Sequence, residues 1–93
     1  MVRKKGVIAA ALVKKGFEES PNDDLFYRLI IDGKKVAVGT KMSHGPNSMD
    51  IGAGLISAMS KQLGLTKGEF LNLVDCPLEK EPYIQLLRDR QRI

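Results

Sequence analysis

The chain has one cysteine, one histidine and no tryptophan in 93 residues, and aromatic side chains make up only 5% of it. A single thiol, Cys76, excludes an intramolecular disulfide and a zinc cluster built on thiolates. With no histidine near it, Cys76 reads as a small packed hydrophobe. The sole histidine, His44, leaves imidazole chemistry to one side chain with no triad partner close by in the sequence. No apolar run reaches transmembrane length. The apolar stretch after Arg3-Lys4-Lys5 begins like a secretory leader but stops at Lys14-Lys15 without a cleavage motif, so a cytoplasmic protein with no membrane partner is expected. Internal repeats, proline-rich linkers and low-complexity segments are also lacking.

What is present suits one compact core. Hydrophobic residues make up 43% of the chain and charged residues 28%, mixed in sign. A length of 93 residues leaves no room for a second independent core, so residues 1–93 are expected to form a single domain. The formal net charge of +4 favours phosphate-bearing partners through the long-range field.

Ile8 and Leu12, with the alanines between them, place an apolar stripe on a helix from about Arg3 to Lys15, ended by Gly16. Phe17 to Ser20 reads as a short strand, stopped by the turn formers Ser20-Pro21-Asn22-Asp23-Asp24. Leu25 to Ile31 is the clearest strand, Asp32-Gly33 accepts the positive φ of a tight hairpin turn, and Lys35 to Met42 returns antiparallel. Alternation puts Val36, Val38, Thr40 and Met42 on one face and Lys35, Ala37, Gly39 and Lys41 on the other.

Ser43 to Asp50 should be a loop. Ile51, Leu55, Ile56, Met59 and Leu63 then define an amphipathic helix closed by Gly64. Thr66 and Glu69 have capping-box spacing before a short helix through Phe70 and Val74, which Asp75-Cys76-Pro77 breaks. A terminal helix carries Tyr83, Ile84, Leu86 and Leu87. The expected class is α+β, in the order α-β-β-β-α with two short C-terminal helices. A three-stranded antiparallel sheet is stable only if one face is covered, so the helices should pack on one side.

Lys14-Lys15-Gly16-Phe17, the strand bearing Tyr27-Arg28, Asp32-Gly33-Lys34-Lys35-Val36, His44-Gly45 and Gln62-Leu63-Gly64-Leu65 resemble, in order and spacing, the HicA-like toxin family. The resemblance covers about Arg3 to Leu73 and leaves residues 66–93 as a helical extension. It implies a double-stranded-RNA-binding-domain-like fold, metal-independent endoribonuclease activity on mRNA, RNA as ligand, and an antitoxin protein as partner. No metal or other cofactor is implied. The family's catalytic histidine lies at the start of the second strand, and Asp24 occupies the matching position here. Metal-independent cleavage needs a group that titrates near neutral pH, which an ordinary carboxylate does not. The resemblance therefore implies an RNA-interacting protein with weak or lost ribonuclease activity.

Candidate catalytic residues are thus His44, from a loop beside the sheet, and Asp24. Arg28, Lys35 and Lys41 form a candidate RNA-binding strip on the open sheet face, with Phe26 as a stacking surface and Lys14 and Lys15 as flanking cations. Each has a plainer alternative: a loop-stabilising histidine, turn-forming aspartates, or lysines that discourage edge-to-edge association. Asp23 and Asp24 could hold a hard divalent cation beside Asp50, but the pair reads as turn chemistry. Gly39 marks either a bulge or a close approach of a ligand or a partner backbone. The competing functional class is a non-catalytic interaction domain that binds another protein, or forms a homodimer, through the same open sheet face.

Overall fold

The computed structural model describes residues 2–21, 24–42, 45–75 and 77–93. Arg3–Lys4 (β1) leads into Lys5–Lys14 (α1), then Phe17–Pro21 (β2), Leu25–Ile31 (β3) and Lys34–Met42 (β4). Asp50–Ile51 (β5) precedes three helices, Ala53–Gln62 (α2), Lys67–Asp75 (α3) and Lys80–Asp89 (α4). β2, β3 and β4 form a three-stranded antiparallel sheet in that order. The result is a small α+β domain with four helices among the described residues.

Asp32 and Gly33 both adopt positive φ, 52° and 78°, which lets the β3–β4 connection turn in two residues. On β3 and β4 the alternation expected from the sequence holds. Tyr27, Leu29, Val38, Thr40 and Met42 are buried, while Phe26, Arg28, Lys35, Ala37 and Lys41 are exposed. The pairing shifts between Arg28, opposite Gly39, and Ile30, opposite Lys35, so β4 takes four steps where β3 takes two. This is the bulge alternative for Gly39, and it explains the glycine. A Cβ there would lie 2.6 Å from the Tyr27 carbonyl oxygen, so the neighbouring backbone needs the space.

The buried sheet face meets Ile8 and Leu12 of α1, Ile56 and Met59 of α2, Phe70 and Leu73 of α3, and Tyr83 and Leu87 of α4 in one core. Each large apolar side chain enclosed there contributes about 1.5–3 kcal/mol. The two C-terminal helices thus contribute Phe70, Leu73, Val74, Tyr83 and Leu87 to that core. The Tyr83 ring stacks on Phe17 of β2 at 6.1 Å, and its hydroxyl donates to the Leu63 carbonyl at 2.9 Å, satisfying an acceptor at the end of α2. The capping box forms as the spacing requires: Thr66 N–H donates to Glu69 Oε1 at 2.9 Å and Glu69 N–H to Thr66 Oγ1 at 3.2 Å. Arg90 grips the same carboxylate with two bonds, at 2.8 and 2.6 Å, and this pairing draws the Glu69 carboxyl down to about 2.

The starts of α1 and α2 differ from the sequence reading. Arg3 and Lys4 are not the first turn of α1. They pair with Ile51 and Asp50 in a two-stranded sheet, so Ile51 lies in a strand and α2 begins at Ala53. Two-residue strands carry no periodicity a sequence could show, and this one exists only because β1 and β5 meet in space. Leu55, expected on the buried stripe of α2, is 42% exposed, while Ile56, Met59 and Leu63 of the same stripe are buried.

Candidate nucleic-acid interface

On the outward face of the sheet Phe26, Arg28, Lys35, Ala37 and Lys41 are exposed. Cross-strand pairing places Phe26 opposite Lys41, Arg28 between Glu18 and Gly39, and Ile30 opposite Lys35. Directly opposed residues on one face lie about 5 Å apart and next-but-one neighbours about 7 Å, so Phe26, Arg28 and Lys41 are mutual neighbours. Gly39 adds no side chain between them, and a shallow depression of about 250 Å³ opens beside Phe26, floored by Gly39 and edged by Lys41 and Gln62. Phe26 is 41% exposed, so a flat apolar ring stands among cations in contact with solvent.

Carboxylates share this face. Lys35 Nζ lies 3.3 Å from Glu18, and Lys41 Nζ lies 3.5 Å from Asp24. The strip therefore holds three cations and two carboxylates. Glu18 is the residue sequence reasoning missed. The β2–β3 register that places it beside Arg28 depends on the connection between the strands, and local pattern does not fix that. Both pairs are single contacts between exposed or partly exposed side chains, a class worth about 0–1 kcal/mol, so a phosphate can compete for either ammonium.

The other expected site residues fall elsewhere. Lys15 is corrected: it is only 1% exposed, with its ammonium donating to the Leu78 carbonyl at 2.8 Å and lying 3.3 Å from Glu79. It clamps the segment before α4 to the end of α1 and does not reach a surface ligand. Lys14 is exposed on α1 but borders a groove on the helix-covered side, away from the strip. Asp24 is partly exposed and engaged with Lys41, an arrangement suited to charge pairing. His44 lies outside the described residues, as do Asp23 and Cys76.

On the helix-covered side, α1, β2 and β3 border an open groove of about 720 Å³ lined by Lys5, Ala9, Val13, Glu19, Leu25 and Tyr27, among others. The Tyr27 phenol donates to Glu19 Oε2 at 2.5 Å; burial first, then this carboxylate, pushes the phenol above its ordinary range. Among the described residues no group of three or more His, Cys, Asp or Glu side chains is placed to hold a metal ion, and no helix is long and apolar enough to cross a membrane. Comparison with protein families, curated proteins and solved structures gives no match to this chain.

Proposed function

We propose that this domain binds RNA on the outward face of its sheet, as a toxin-type RNA-interacting protein in which binding outlasts cleavage. The observation that carries the reading is the exposed Phe26 ring flanked by Lys41 across the strand pair and Arg28 along the strand. A base can stack on the ring while its phosphates meet the cations, a combination worth about 1–3 kcal/mol per stacked base and largely indifferent to sequence. Apart from the two-residue strands β1 and β5, the order α1-β2-β3-β4-α2 is the one expected of a double-stranded-RNA-binding-like fold and supports the reading at the level of architecture. On this face the candidate for chemistry among the described residues is Asp24, which is paired with Lys41, so the geometry favours holding RNA over cutting it.

Fluorescence anisotropy with labelled single-stranded RNA tests this directly. Phe26→Ala and the Arg28→Ala/Lys41→Ala pair should each weaken binding about tenfold or more while leaving the far-ultraviolet spectrum unchanged. Wild-type affinity in both variants would remove the sheet face as the binding surface.

A further inference from the structure

Lys5 opens α1 and is 2% exposed, yet among the described residues its side-chain nitrogen makes no hydrogen bond and no ion pair. Its two neighbours differ in this respect: Arg3 holds Asp75 at 2.6 Å and Lys4 holds Asp50 at 2.6 Å. Among the described residues no fully enclosed side-chain nitrogen or oxygen lacks a partner, so the Lys5 nitrogen keeps slight contact with solvent, and Lys5 is one of the residues lining the groove beside α1.

The position is electrostatically adverse without a ligand. The start of a helix carries partial positive charge and favours anions, but the first turn of α1 contains no acidic residue and has no side-chain cap. Backbone carbonyls of Met49 and Asn47 take up the Lys5 and Gly6 amides, at 2.8 and 3.0 Å, and add no formal negative charge. A nearly buried ammonium at the positive end of a helix lacks the counter-charge that buried ions ordinarily have.

We propose that the groove binds a phosphate monoester, its phosphate held by Lys5 at the start of α1 and its organic part lying against Ala9, Val13 and Leu25. A volume of about 720 Å³ lies within the size range of small-molecule sites. Glu19, which also lines the groove, repels a phosphate, so the phosphate sits at the Lys5 end and Glu19 accepts a hydrogen bond from a hydroxyl or amino group of the ligand. A nucleoside monophosphate meets both demands. This site is on the opposite side of the sheet from the Phe26 strip and does not rest on the RNA reading.

The test is calorimetric titration of the full chain with inorganic phosphate, adenosine 5′-monophosphate and adenosine, at matched ionic strength in chloride, together with amide NMR mapping of the wild type. The monophosphate should bind more tightly than phosphate, and adenosine should not bind measurably. Lys5→Met, which keeps length and apolar volume, should weaken the monophosphate about tenfold or more, while Arg28→Ala/Lys41→Ala should not. Amide shifts should centre on Gly6, Ala9 and Asn47. Equal binding by Lys5→Met, equal binding of adenosine, or shifts centred on Arg28 and Lys41 would each overturn the proposal. The NMR map decides the matter even if Lys5→Met does not fold.

Discussion

Removing a carboxylate from the sheet face should strengthen RNA binding, and Asp24→Asn is the sharpest way to show it. Asp24 lies 3.5 Å from Lys41 Nζ, and the lysine is the cross-strand neighbour of Phe26. In the free protein the pair is worth about 0.2–1 kcal/mol, since both partners are substantially exposed. RNA must displace that contact and also place a phosphate near a carboxylate. Two unit negative charges about 6 Å apart in water repel by about 0.7 kcal/mol. Replacing the carboxylate by an amide of the same shape removes both costs, together about 1 kcal/mol, or about fivefold in Kd at low salt. The assay is anisotropy across a salt series, with Glu18→Gln as a companion because Glu18 engages Lys35 in the same way. Tighter binding should appear at low ionic strength and shrink as salt screens the charges. Unchanged or weaker binding in both variants would show that these carboxylates do not border the bound RNA, and the strip would lose its functional reading.

Three further outcomes follow from the packing. Tyr83→Phe should cost about 1 kcal/mol by leaving the Leu63 carbonyl unpaired, whereas Tyr83→Ala should cost about 3–5 kcal/mol through lost burial, as read by chemical denaturation. A cost near zero for Tyr83→Ala would mean that α4 is not part of the core. Gly39→Ala should destabilise by about 1–3 kcal/mol, because the new methyl group meets the Tyr27 carbonyl and the bulge must shift; thermal melting reads this. The Glu69 carboxyl is lower in the folded chain, at about 2, than its ordinary 4.5, so its pairing stabilises the fold above that ordinary value and is lost as pH falls towards 2. Comparing wild type with Arg90→Ala by denaturation between about pH 6 and about pH 2 should show their stability difference shrinking on acidification. A difference that stays constant would separate the ion pair from acid stability.

Most of the secondary structure was legible from residue order because it rests on local chemistry. Asp32-Gly33 sets the hairpin turn, Thr66 and Glu69 cap α3 through three-residue spacing, and alternation on β4 sorts Lys35 and Lys41 from Val38 and Met42. That Phe26, Arg28 and Lys41 share one face was legible for the same reason, since period-two alternation survives a two-residue shift, but the bulge between Arg28 and Ile30, not the hairpin turn, sets Phe26 opposite Lys41. Tertiary structure alone decided what surrounds them. The β2 register put Glu18 beside Arg28, the fold of the chain before α4 drew Lys15 inward onto Leu78 and Glu79, and the meeting of β1 with β5 left Lys5 lining a groove. Charge and spacing identify a lysine, but whether its ammonium faces water, a carboxylate or a cavity depends on contacts between residues distant in the chain. Local periodicity carries no information about those contacts.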